Sequence, residues 1–285
     1  MTSSNAANAG MASSAKPAPR AGELTARIVS GGALGVMLLA AIWAGGDFYA
    51  LVIVGCAATA LAEWLRIVNS TLASLSTVLA ITLLVFLGGV SNQVPAALAL
   101  ALLFMLFFGL LMCLLALGSA RPYTASLGFL YIGGSVVALF FLRQIPDHGE
   151  MLVYFLMISV WANDTGAYAS GRFFGGVKLW PKVSPSKTWA GLFGGIIIAM
   201  IFGTAVALLF SFPMPILAAL LAVLLALSAV GGDLLESKLK RIYHVRHSSG
   251  LIPGHGGMLD RIDGLIPASL VFAVLSGTFG AEVFA

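Results

Sequence analysis

From Ile67 to Ala120 the chain carries no charged residue. Such a run leaves few folds open. It is too long for one bilayer crossing, which takes about 20 apolar residues, and it fits two. Its apolar residues are continuous rather than alternating, so helices are expected and a membrane barrel is not. The break between the two crossings is expected at Gly88-Gly89-Val90-Ser91-Asn92-Gln93-Val94-Pro95, where turn formers cluster. Composition agrees. The 285 residues are 60% hydrophobic and 9% charged, too few charges to cover a soluble domain of this size.

The same reasoning along the whole chain predicts an all-α, polytopic membrane helical bundle of about nine transmembrane helices, with a cytoplasmic N-terminus. Residues 1–22 are expected to be a disordered cytoplasmic tail, lacking the apolar core of a cleaved signal peptide. Residues 23–150 would form an N-terminal bundle of spans one to five. Residues 151–285 would form a catalytic region, spans six to nine with their cytoplasmic loops. Cys56 and Cys113 both fall in apolar runs, so no disulfide framework is expected. With this topology, Arg143 is the one residue of the fifteen lysines and arginines that falls outside the cytoplasmic segments. Three polar regions, 164–172, 178–191 and 232–263, then meet the same face, where nucleotides are found. A bacterial plasma (inner) membrane, with the site facing the cytoplasm, is the expected location.

The last of those regions is the most polar stretch of an otherwise apolar chain. Between Gly232 and Asp263 it holds four of the eleven acidic residues and five of the fifteen basic ones. Carboxylates and cations gathered at a membrane surface suit a metal-bound, multiply anionic substrate. Asp260 and Asp263 are three apart and share a face if helical. Oxygen ligands of this kind suit Mg²⁺, and Arg261 between them suits a phosphate. A solvated loop with an Asp–Arg pair is the plainer alternative. Asp233 follows a long apolar run, where an unpaired carboxylate at depth costs on the order of 3 kcal/mol. Ser237 and Lys240/Arg241 recur with it at roughly helical spacing. Glu236 and Lys240 have the spacing of a simple helical ion pair.

Two further segments carry polar groups. In Pro181-Lys182-Val183-Ser184-Pro185-Ser186-Lys187-Thr188, the hydroxyls, Lys187 and the free amides of a helix start would form a phosphate cradle. A capped helix start with a snorkelling lysine is the alternative. Asp164, in Asn163-Asp164-Thr165-Gly166-Ala167-Tyr168, sits in the last turns of the sixth span, where an acidic residue is a functional candidate.

Taken together, SKLKR, LIPGHGGMLDRID, NDTGAY, GRFFG and SPSKTW resemble the motifs of the phosphatidate cytidylyltransferases, the CDP-diacylglycerol synthases. The resemblance covers about residues 160–264. It implies CTP and phosphatidate as substrates, CDP-diacylglycerol and pyrophosphate as products, and a divalent metal, Mg²⁺ with room for a second cation. It implies a metal site at Asp233 and Asp260, and a substrate motif at Ser184, Lys187 and Thr188. The site residues expected are thus Asp233, Asp260, Asp263 and Lys187 for catalysis, and Ser184, Thr188, Lys240, Arg241, His255, Arg261 and Asp164 for substrate. Three positions depart from the pattern: Arg246-His247 stands where the family has Lys-Asp, Ala190 where it has Glu, and Gly176 where a Lys often stands.

Membrane lipid is an expected partner and nucleic acid is not; a homodimer is one assembly open to such a bundle. Other readings are a polyprenol kinase or CDP-archaeol-type synthase, a catalytically impaired paralogue, and an ion-coupled transporter. A transporter would more often place charges at mid-span and pair broken helices in two halves; here the strong charges sit at one membrane edge.

Overall fold

The computed structural model describes residues 21–68, 75–245, 248–252 and 256–279. The helices are α1 (Ala21–Ala44), α2 (Gly46–Val68), α3 (Leu75–Ser91), α4 (Ala96–Ala116), α5 (Pro122–Arg143), α6 (Gly149–Phe173), α7 (Trp189–Leu209), α8 (Pro215–Ile242), α9 (Leu259–Ile262) and α10 (Leu265–Phe279). Two short strands, β1 (Lys178–Trp180) and β2 (Ser184–Thr188), interrupt the series between α6 and α7. The fold is that of an all-α, polytopic membrane protein. Five helices, α2, α4, α5, α7 and α8, are long and apolar enough to cross a membrane by length and composition. Shorter apolar stretches run over Val29–Ala44, Thr77–Ser91 and Leu265–Phe279. Residues 1–20 of the expected tail lie outside the described residues, as do Arg246, His247 and His255.

The long uncharged run is divided where its turn formers predict. α3 ends at Ser91, and Pro95 caps the start of α4. Between α1 and α2 the chain reverses through Gly45 at φ +63°, a conformation glycine adopts without the Cβ penalty. Arg143, at the end of α5, donates to the Ile42 carbonyl at 3.2 Å and so satisfies one of the open carbonyls at the C-terminus of α1.

The helices that carry the polar motifs pack closely. α7 buries Gly191, Gly195, Ala199, Gly203 and Ala207, a small residue every four positions, which turns one stripe of the helix toward its neighbours. That stripe packs against α6 and α8. A Cβ at Gly195 would stand 2.6 Å from Asn163 Oδ1, so only glycine fits there without a shift. The opposite face of α7 leaves Phe193, Ile197, Ile201 and Leu208 exposed, as suits a lipid-facing surface. α10 packs on α5, α8 and α6. α8 is 28 residues long, about 42 Å. It outruns the hydrocarbon thickness of about 30 Å, which leaves its charged C-terminal turns, Asp233 to Arg241, at a polar edge.

Candidate active site

Four separated stretches of chain line one cavity of about 620 Å³. α6 supplies Asn163, Asp164, Tyr168 and Arg172. The hairpin strand and the start of α7 supply Ser186, Lys187, Thr188 and Gly191. α8 supplies Asp233, and the segment around α9 supplies Asp260, Arg261 and Asp263.

Each side chain is positioned by its local structure. The SPSKT stretch is not the first turn of a helix, as the sequence suggested, but the second strand of a hairpin. β2 pairs antiparallel with β1, Lys178 opposite Thr188 and Trp180 opposite Ser184. Thr188 then ends the strand and caps α7, its hydroxyl oxygen accepting from Gly191 N at 3.0 Å. The free amides expected at this helix start are thereby partly spent, since Trp189 N also donates to Val177 O at 3.1 Å. Lys187, one residue earlier on the strand, reaches Asp233 with Nζ–Oδ2 at 2.5 Å. The hairpin is tied to α8 a second time: Arg241 Nε donates to the Val183 carbonyl at 3.3 Å.

On the other side of the cavity, Lys240 lies between two carboxylates. It pairs with Glu236 at 2.8 Å, one helical turn away, and with Asp260 across the loop. Asp260 also accepts the amide of Gly257 at 2.9 Å. Burial alone would raise the Asp260 carboxyl, but the hydrogen bonds from Lys240 and Gly257 and the lysine's charge hold it below its ordinary value. Asp263 is the opposite case. Burial, then the neighbouring carboxylates Asp233 and Glu236, push it well above the ordinary carboxylate range. One oxygen of Asp263 accepts the Gly264 amide at 2.8 Å. Arg261 is exposed and makes no ion pair among the described residues, which leaves its guanidinium open to an anion.

Of the residues expected from sequence, Asp164, Lys187, Thr188, Asp233, Asp260, Arg261 and Asp263 line this cavity together. Lys240 stands behind Asp260, and Arg241 braces the hairpin. Ser184 is buried on β2, its hydroxyl 3.5 Å from that of Ser186, and Ser186 is the one that lines the cavity. His255 lies outside the described residues. Sequence reasoning passed over Tyr168 and Arg172 as site residues. They follow Asp164 at i+4 and i+8 on α6, and Arg172 Nη1 donates to Tyr168 Oη at 2.9 Å. That helical spacing from an already suspect aspartate was the available signal. Asn163 directly precedes Asp164 in the same motif. Its Nδ2 donates to Asp164 at 3.4 Å, and its Oδ1 is buried with no hydrogen-bond partner among the described residues.

An all-oxygen acidic set beside lysines and arginines, at the end of apolar helices, suits phosphate-bearing substrates. Known proteins narrow that class. The Cytidylyltransferase family matches residues 25–279. The chain is 33% identical over 256 residues to the phosphatidate cytidylyltransferase of Brucella suis biovar 1, covering 90% of this chain and 94% of that one. It is 40% identical over 143 residues to the enzyme of the same name from Bacillus subtilis, half of this chain and 53% of the other. With the Haemophilus influenzae enzyme of that name it shares 45% over 136 residues, 45% of this chain and 46% of the other. The protein belongs to the cytidylyltransferase family.

Proposed function

We propose that this protein transfers CMP from CTP to phosphatidate, giving CDP-diacylglycerol and pyrophosphate, in a multi-pass bundle of about nine spans with its N-terminus and this cavity on the cytoplasmic side of a bacterial inner membrane. The observation that carries the reading is the convergence of four motif segments on one cavity lined by carboxylates and cations. Relatives covering nearly the full length carry that activity in their names.

The residues fit the chemistry. A phosphate oxygen of phosphatidate attacks the α-phosphorus of CTP, and the bond to pyrophosphate breaks. Both substrates are anions, so their approach is opposed until positive charge offsets it. Lys187, Arg261 and Arg172 all line the cavity. They clamp the phosphates and take up charge on the leaving pyrophosphate. Thr188 has spent its oxygen on the helix cap, but its hydroxyl hydrogen remains to donate to a phosphate. Asp233 and Asp260 would hold Mg²⁺. Among the described residues no three His, Cys, Asp or Glu side chains are grouped as a complete metal cage. Mg²⁺ takes one or two protein carboxylates and completes its shell with substrate phosphates and water. When bound, the ion supplies Lewis-acid polarisation of the reacting phosphates. Lys187 and Lys240 balance Asp233 and Asp260 here. Release from Asp233 would free Lys187 for the substrate.

The test is conversion of CTP labelled in its cytidine to a lipid-soluble product by the purified protein, with and without phosphatidate. Lipid label that appears only with phosphatidate supports the reading. No lipid label under any condition, or label that appears equally with a polyprenol, overturns it.

A further inference from the structure

Glu63 lies in the last turns of α2, a helix that contributes nothing to the cavity lining. Its residue is only 2% exposed, and among the described residues it has no cationic partner. A carboxylate in that position is costly unless hydrogen bonds satisfy it. Three do, all from the far end of the chain. Ser249 Oγ donates to Oε1 at 2.5 Å, Met258 N donates to the same oxygen at 3.1 Å, and Leu259 N donates to Oε2 at 2.7 Å. The two amides belong to the start of α9, the four-residue helix that carries Asp260 and Arg261. Met258, at the N-cap position, makes no side-chain cap bond. Glu63 does that job from another helix, nearly two hundred residues away.

The end of α2 is also bonded to α5: Trp64 Nε1 donates to the Thr124 carbonyl at 3.0 Å and Arg121 donates to Val68 O at 3.3 Å, bonds separate from the three that hold residues 249–259. The clamped segment also tolerates no extra bulk. A Cβ at Gly257 would run into the Ser248 hydroxyl and the Glu63 carboxylate. On the far side of the same segment, Asp260 meets Lys240 and the Gly257 amide. The 256–260 backbone is therefore gripped from α2 on one side and α8 on the other, and Asp260 faces the cavity as a result.

We infer that Glu63 is a positioning residue for the reaction, fixing the α9 segment so that Asp260 is presented to the cavity and to the cation it would hold. The inference rests on the site proposed above. It is tested with Glu63→Gln, which keeps the size but puts an amide donor where the carboxylate accepts. Trp64→Phe is the control, because it loosens the same turn of α2 without touching residues 248–260. In folded, purified Glu63→Gln the amides of 256–262 should exchange with deuterium at least about tenfold faster, and the Mg²⁺ concentration for half-maximal activity should rise about tenfold. Trp64→Phe should lower the melting temperature and leave both readings near wild type. Unchanged exchange and unchanged Mg²⁺ dependence in Glu63→Gln would overturn the inference, as would the same changes in Trp64→Phe. Full activity in Asp260→Asn would instead remove Asp260 from the site; the exchange result would still decide whether Glu63 holds the segment.

Discussion

Asp233 and Asp260 carry the most specific chemical claim, and each is held by its own lysine. A charge-assisted pair of this kind marks a carboxylate that a cation stabilises. Asp233→Asn and Asp260→Asn are each expected to lower CTP-dependent turnover by about 100-fold or more, with expression and membrane insertion near normal. The double variant should lose little beyond either single one, as expected of two residues that hold the one proposed ion. Additive losses measured in purified protein would separate their roles. A second expectation concerns Ala190, in the first turn of α7, a turn without an acidic residue. Ala190→Glu should preserve or raise activity, since a carboxylate near a helix N-terminus is favoured by about 0.3–1 kcal/mol. His247→Asp should shift the metal dependence. Abolished activity in both variants would show that the local geometry differs from the family's. At this scale the sequence was informative where a charge interrupts an apolar run, as at Asp164 and Asp233. It was silent on Glu63, whose partners are 186 to 196 residues away.

Among the elements, the helices were the most legible part. Long uncharged runs leave a backbone in lipid no alternative to internal hydrogen bonding, and Pro95 and Pro122 stand at helix starts, where the missing N–H costs nothing. The hairpin was not legible. Ser184-Pro185-Ser186-Lys187-Thr188 has weak strand propensity and no alternating apolar pattern. What makes it a strand is tertiary: pairing with β1 and the bond from Arg241 on α8 to Val183. The small-residue stripe of α7 yields a test of packing. Gly195→Val would force a side chain against Asn163 and Ala167. It is expected to destabilise the bundle by about 1–3 kcal/mol, seen as a lower melting temperature in detergent. Activity should fall as well, because Asn163 and Asp164 are on the displaced face of α6. An unchanged melting temperature would mean that α6 and α7 do not pack as closely as described.

For the whole molecule, the claim is that one membrane face gathers the charge and with it the chemistry. Cysteines placed singly at positions 180 and 250, in a background with Cys56 and Cys113 replaced, should label from the cytoplasmic side of sealed vesicles. Labelling of either only from the opposite side would reverse the orientation and separate the cavity from CTP. The central claim, however, is the bond that is broken. It lies between the α- and β-phosphates of CTP, so the two ends of the triphosphate must part company. Purified protein given phosphatidate, Mg²⁺ and CTP labelled either at the α- or at the γ-phosphate tests this directly. The α-label should enter the lipid, the γ-label should leave in pyrophosphate, and Asp260→Asn should show neither transfer above background. A lipid carrying the γ-label, as a kinase would make, would contradict the account.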